Sequence, residues 1–283
     1  KRQILVGLGT GLLVLDLGRP QQFWRLFVTV NPVSPMSIGS WVIMLLMTVS
    51  SIGALFHLPP SWLRWFGGKV KPLASRAEKL ALWNRLSDGE PVPYPDAPAS
   101  INRIRGILAV IGIPLGLGVG IYTGVLLGAI PARPFWNTPV VAQLFLFSAL
   151  STAVALIRLI RVYRGSNEVE NQGLLRANTV FILLQFFILV PFLIHGELST
   201  RSAREALELV LGGQYTLVFW LGCLGVGTLL PLLLELYELL MVAKTGRGRL
   251  LGALAYVSPV LILVGGYLLR WVFVHAGQDT SFL

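Results

Sequence analysis

An all-α integral membrane protein, a polytopic helical bundle, is predicted on three observations. Of 283 residues, 54% are hydrophobic and only 13% charged, against about 25% charged in an ordinary soluble domain. The apolar residues gather into seven long runs. The charges, 23 Lys and Arg against 13 Asp and Glu, fall between those runs. With a mean hydropathy of +0.72, too little polar surface remains to cover a water-soluble globule. A net charge of +10 in a nucleic-acid binder would cluster on a polar face. Closed β-barrels need short alternating segments, and nothing here alternates.

A bilayer core calls for about 20 apolar residues per helix. Runs at 3–17, 39–58, 106–130, 139–163, 177–195, 214–243 and 252–276 supply seven helices in a single transmembrane domain over 1–283. The first run is short, which suggests that a piece of the natural protein precedes Lys1. The others are long and broken by Gly and Pro, as membrane helices tolerate. Gly112, Gly116 and Gly120 form a small-residue series on the third run, the usual signature of close helix packing. Between the second and third runs lies a loop, 59–105, ending in the Pro-rich stretch SDGEPVPYPDAPAS. Its SRAEKLALWNRL portion has the spacing of a short interfacial helix.

Counting Lys and Arg in the connections orients the bundle. The side holding Lys1 and the 59–105 loop carries 17 basic residues and the opposite side five, with Arg270 inside the last run. Residue 1 and the long loop are therefore expected in the cytoplasm. The tail AGQDTSFL is expected outside a cell (inner) membrane. Cys223 is the sole cysteine, so the chain has no intrachain disulfide, four-cysteine iron–sulfur site or C-x-x-C-H haem attachment. Inside an apolar run it reads as a small buried hydrophobe.

Polar and aromatic residues that hydropathy does not require concentrate on the outer side. The first outer loop, LDLGRPQQFWRLFVTVNPVSPMSIGSW, and the second, IYTGVLLGAIPARPFWNTP, each place Arg-Pro shortly before Phe-Trp. Proline stiffens both connections. Trp24, Trp41 and Trp136, taken singly, fit an interfacial aromatic belt. Asp16, Arg19 and Tyr122 share that face and ask for more. An ionisable Asp16 at membrane depth is expensive and defaults to function, with Arg19 three residues on as its partner. The simpler alternative is an ion pair at a helix end. Tyr122 carries a phenol that can donate a hydrogen bond; the alternative is a packed tyrosine satisfied by backbone.

LDLGRPQQFW, NPVSPMSIGSW, YTGVLLGAIPARPFWNTP, LFLFSALSTAVAL and LLRWVFVHAGQ, in this order, resemble the NrfD/polysulfide-reductase membrane-subunit family across almost the whole chain. The resemblance implies a subunit of eight or more helices without a haem or iron–sulfur cluster of its own. Such subunits exchange electrons between the membrane quinone pool (menaquinone or ubiquinone) and an outer-face iron–sulfur partner. That partner in turn connects to a molybdopterin or multihaem catalytic subunit. The seven runs here would match the family's second to eighth helices, its first being absent. The resemblance also implies that Tyr122 hydrogen-bonds a quinone carbonyl. Asp16 would accept the quinol proton, with Arg19, Arg133, Trp136 and Asn137 serving the headgroup or the partner interface.

The remaining polar residues within the runs divide between packing and proton transfer. Glu235 and Glu238, three apart on one face, sit on the same side as Arg158 and Arg161. A buried Glu–Arg pair or snorkelling to the headgroups would account for them. Arg270 lies deeper. With Gln143, Ser148, Ser151, Thr152 and Gln185 these residues form a polar set, read either as helix–helix hydrogen bonding or as a proton path. His195 and His275 fall at outer helix ends and His57 at an inner one. Haem ligation requires two facing each other inside the bundle; only the outer pair could supply them, and both fall too near the surface, so proton acceptance or an interfacial position is expected. Two other classes compete: a transporter, for which no inverted repeat is visible, and a structural anchor without a quinone site.

Overall fold

The computed structural model describes residues 28, 31–32, 34–55, 99–164, 168–245 and 249–280. The predicted run at 3–17, Asp16, Arg19, Trp24, His57 and the interfacial helix of the long loop lie outside them. The described residues form helices α1 (Pro35–Leu55), α2 (Ala99–Gly128), α3 (Val140–Tyr163), α4 (Glu168–Leu198) and α5 (Arg201–Leu211). A π-helical segment (Val218–Leu229) then runs directly into α6 (Leu230–Thr245), and α7 (Arg249–Asp279) follows. No strand occurs among the described residues.

Six stretches are long and apolar enough to cross a bilayer: Pro35–Gly53, Arg103–Gly128, Val140–Tyr163, Gln172–Leu198, Val218–Met241 and Ala255–Asp279. At about 1.5 Å per residue five of them exceed a hydrocarbon core of about 30 Å, and the 19-residue first one falls just short of it. They coincide with the second to seventh predicted runs, with three differences in extent. Helix α2 starts at Ala99, so Arg103 and Arg105 stand on a helix and not in the loop. The tail read as AGQDTSFL is helical as far as Asp279. The connection after α4 holds a helix of its own, α5, which hydropathy does not mark because it is amphipathic. Thr200 caps α5 by accepting from the Ala203 amide, and Ala203, Ala206, Leu207 and Val210 are buried at helical spacing. Arg201, Arg204, Glu205 and Glu208 face out.

The chain divides into two compact units, residues 1–119 and 120–283. In the first, a Cβ on Gly118 would come within 3.2 Å of Val42 on α1, and one on Gly112 within 3.9 Å of Val49. In the second, α3 packs on α4 and α7, α7 on the π-helical segment and α6, and α5 on α4 and α7. The glycine series packs at two of its three positions, since a Cβ on Gly112 would meet Val49 and one on Gly120 would lie 3.2 Å from Leu146. Gly116 has open space around it. The close approach is at Gly124, one turn beyond Gly120, where a Cβ would strike the Ala142 backbone.

The core of the second unit has two layers. Toward the Trp136 end, Phe135, Phe145, Phe192, Phe219 and Phe273 are all buried with Leu144, Val141 and Val272. Ring centroids within this cluster lie 5.0–5.8 Å apart in tilted and edge-on pairs, the geometry that aromatic quadrupoles favour. Toward the Arg158 end, Ala155, Ile182, Leu232 and Ile262 form a smaller apolar layer. The π-helical segment is a wide helix, with the Leu230 amide bonding to the Gly225 carbonyl five residues back. It lies against α7 with Gly227 and Gly265 backbone to backbone, and a Cβ on either would overlap the other. Cys223 is buried on this segment, as expected of a small hydrophobe.

Candidate functional site

Two groups of polar residues stand apart from packing. The first is an ion cluster buried inside the second unit. Arg158 on α3 is 1% exposed and Glu235 on α6 is 0% exposed, with Nη1 to Oε1 at 3.2 Å. The other guanidinium nitrogen donates to both oxygens of Glu238. The spacing of Glu235 and Glu238, three residues apart on one helix face, is what lets one arginine reach both. Four further side chains close the cluster. Asn178 on α4 donates to Glu235 Oε1 at 2.7 Å, Thr179 to Oε2 at 3.2 Å, and Ser258 on α7 to Oε1 at 3.3 Å. Ser151 on α3 donates to Asn178 Oδ1 at 3.0 Å. Each buried oxygen thus has a partner, as buried charge requires. With both glutamates ionised, the single guanidinium of Arg158 meets two carboxylates.

Of the polar set read from the sequence, Ser151 joins this cluster, whereas Gln143 is exposed and Gln185 half-buried. Ser148 and Thr152 lie one turn along α3. Thr152 bonds back to the Ser148 and Ala149 carbonyls, and the buried Ser148 hydroxyl has no partner among the described residues. Asn178, Thr179 and Ser258 were missed by sequence reasoning. The available signal was position: each is a polar residue inside an apolar run, toward the end of it expected on the same side as Glu235. Arg270 on α7 is away from the cluster. It donates to the Gly266 carbonyl at 2.9 Å and lies 6.0 Å from the Phe145 ring centroid. No carboxylate pairs with it among the described residues.

The second group lies toward the end of the bundle where α2 leads into α3. Tyr122 sits on α2 between Gly120 and Gly124, about 200° round the helix from both, so it faces away from α3. It is half-buried, and no hydrogen bond engages its phenol among the described residues. Across the following turn, Trp136 is 6% exposed and donates from its indole to the Phe273 carbonyl at 2.7 Å. It is a core residue rather than a belt residue. Gly277 makes room for it, since a Cβ there would overlap the indole. Arg133 donates to the Gln278 carbonyl, and Asn137 is exposed. Thus Arg133 and Trp136 bind the loop between α2 and α3 to the end of α7.

Around that end of α7, His275 stacks on Trp271 at 4.4 Å, and its Nδ1 lies 2.9 Å from the Trp271 carbonyl. Donation from Nδ1 would leave Nε2 as an acceptor. Tyr215 meets the Trp271 ring edge-on and donates to Asp279, which also accepts from Gln214 at 2.7 Å. Hydrogen bonding to Asp279 together with burial pushes the Tyr215 phenol up to about 12. His195 is exposed near the end of α4. Asp16 and Arg19 lie outside the described residues. Among the described residues no group of three or more His, Cys, Asp or Glu side chains could hold a metal ion.

Comparison with known proteins bears on the whole chain. The family model described as "Polysulphide reductase, NrfD" matches residues 3–281. Protein NrfD of Escherichia coli is 32% identical over 96% of this chain and 79% of its own length. A polysulfide reductase polypeptide of Wolinella succinogenes is 30% identical over 97% of this chain and 79% of its own length. A selenate reductase polypeptide of Mesobacillus selenatarsenatis is 30% identical over 94% of this chain, the match spanning 61% of that protein.

Proposed function

This chain belongs to the NrfD polysulphide-reductase family, and from that premise we propose that it is the quinol-binding membrane subunit of a reductase-type respiratory complex. It is a multi-pass membrane protein. In the proposed reading, quinol is oxidised near the Trp136 end, on the outer side. Its two electrons pass to an iron–sulfur subunit docked on that face, and through it to a catalytic molybdopterin or multihaem subunit. The 59–105 loop faces the cytoplasm and the end of α7 faces outward, following the distribution of basic residues.

The observation that carries the reading is the unengaged phenol of Tyr122 inside a membrane span. A hydroxyl at such depth gains from a partner that the described residues do not supply. A quinone carbonyl offers an acceptor of the right kind. Asp16, beside Arg19, would accept the proton released on oxidation. Arg133, Trp136 and Asn137 would serve the headgroup site from the loop that two of them brace. His275, with Nε2 available, and His195 would take protons onward at the outer end. On the other side Glu235, held by Arg158, is the proposed proton carrier, with Arg270 between the two regions.

The test is Tyr122→Phe in the complex reconstituted into proteoliposomes. Loss of one hydrogen bond of about 1.4 kcal/mol that forms with the reacting quinol predicts quinol oxidation about tenfold slower. An unchanged rate would remove the site. Solute movement driven by the subunit without quinol turnover would favour a transporter instead.

A further inference from the structure

The buried hydrogen-bonded side chains of the second unit form a column that stops at Arg270. Starting from the Arg158 end, the chain of bonds runs from Glu238 through Arg158 to Glu235 and Asn178, and on to Ser151. One turn further along α3 comes Ser148, 1% exposed and with its hydroxyl unpartnered among the described residues. Beside it stands Arg270. A Cβ on Gly266 would lie 3.3 Å from Arg270 Nη1 and 3.7 Å from Ser148 Oγ, so the guanidinium and the hydroxyl face one small volume. Beyond Arg270 the groups are Phe145, Phe273, Phe192 and Phe135, stacked ring against ring. None of them can carry a proton, so one would cross that layer only on penetrating water, the step that a fixed positive charge opposes.

We propose that Arg270 is a fixed-charge stop that makes this column a blind well, exchanging protons with the Arg158 end and sealed from the Trp136 end. The inference rests on the reading above, in which Glu235 carries protons. Arginine keeps its proton in proteins, so Arg270 cannot relay by releasing one. It acts through its charge, as guanidinium barriers do in selective pores. A positive charge about 6 Å from a hop site lowers proton occupancy there about a hundredfold at an effective dielectric of about 20. No carboxylate among the described residues stands beside Arg270 to offset that field. The Ser148 hydroxyl is the last group able to hold a proton before it. Such a seal keeps quinol protons released toward the Trp136 end from returning through the subunit.

The experiment measures passive proton flux into proteoliposomes holding the whole complex, with a pH-sensitive dye inside and an imposed pH gradient. The wild type should be tight, Arg270→Gln should leak at least tenfold faster, and Arg270→Lys should remain tight. Adding Glu235→Gln to Arg270→Gln should close the leak. Ser148→Asp keeps the arginine and sets a carboxylate beside it, so it too should leak. It serves as the second variant if Arg270→Gln does not assemble. A tight Arg270→Gln or, where that variant fails to assemble, a tight Ser148→Asp would overturn the stop. A leak indifferent to Glu235→Gln would also overturn it, since the flux would not run through the column. The underlying reading fails separately, if Tyr122→Phe leaves quinol oxidation by the same complex unchanged.

Discussion

Replacing Arg158 by Met tests whether the buried ion cluster holds the second unit together. The substitution keeps the volume of the side-chain stem and removes the guanidinium. Glu235 and Glu238, 0% and 5% exposed, then lose the guanidinium they share. Breaking a buried pair by removing one partner costs about 3–5 kcal/mol. For a chain of this size each kcal/mol lowers Tm by about 2–4 °C, so a fall of about 10 °C is expected. The assay is a thermal scan of the purified complex followed by tryptophan fluorescence, all variants at one scan rate because unfolding of such assemblies is irreversible. The informative comparison is Arg158→Met with Glu235→Gln and Glu238→Gln together. Neutral residues of similar volume replace a buried ion set at little or no cost, so this triple variant should recover most of the lost Tm. A single variant as stable as the wild type would refute the reasoning. So would a triple variant no better than the single, because the loss would then come from packing and not from uncompensated charge.

Two further outcomes follow from the geometry near the end of α7. Gly277→Ala should displace the Trp136 indole from beneath the helix, costing about 1–3 kcal/mol as an overpacked core does; tryptophan fluorescence should shift to the red, and an unshifted spectrum would show that the helix moves instead. The Tyr215 phenol, pushed up to about 12 by its bond to Asp279, stays neutral well above the ordinary tyrosine range. Its neutral form is the one the folded state favours, so the stabilisation is full below about pH 10 and is lost as pH rises through about 12. Tyr215→Phe should remove that alkaline loss and the matching late component of an ultraviolet tyrosinate titration, and a variant with the same alkaline profile as the wild type would contradict the assignment.

Hydropathy alone located six of the described spans to within a few residues at most ends, because a bilayer demands long apolar helices and leaves little freedom in their length. It missed α5, whose Ala203, Ala206, Leu207 and Val210 face inward while its charges face out. An eleven-residue amphipathic helix has no net apolar signal, and only the direction of its side chains reveals it. The π-helical form of Val218–Leu229 was likewise invisible. Its composition is that of any membrane helix, and the wider turn is tied to two glycines that meet across helices.

The site residues divide in the same way. Composition and motif order alone identified a membrane protein, the orienting distribution of basic residues, and the resemblance that Tyr122 and the Arg-Pro–Phe-Trp loops carry. Periodicity along one helix put Glu235 and Glu238 on a shared face, and their side of the membrane made Arg158 a candidate partner. Only the packed bundle decided that Arg158 takes both glutamates, that Asn178, Thr179 and Ser258 complete their hydrogen bonds, and that Trp136 turns into the core. It also decided that Arg270 stands apart without an acid among the described residues. Local sequence sets how apolar a helix is and which residues share its face, because those depend on neighbours three and four positions away. Which faces meet depends on residues 57 to 80 positions apart, such as Glu235 with Asn178 and Glu238 with Arg158, and only the tertiary fold brings those together.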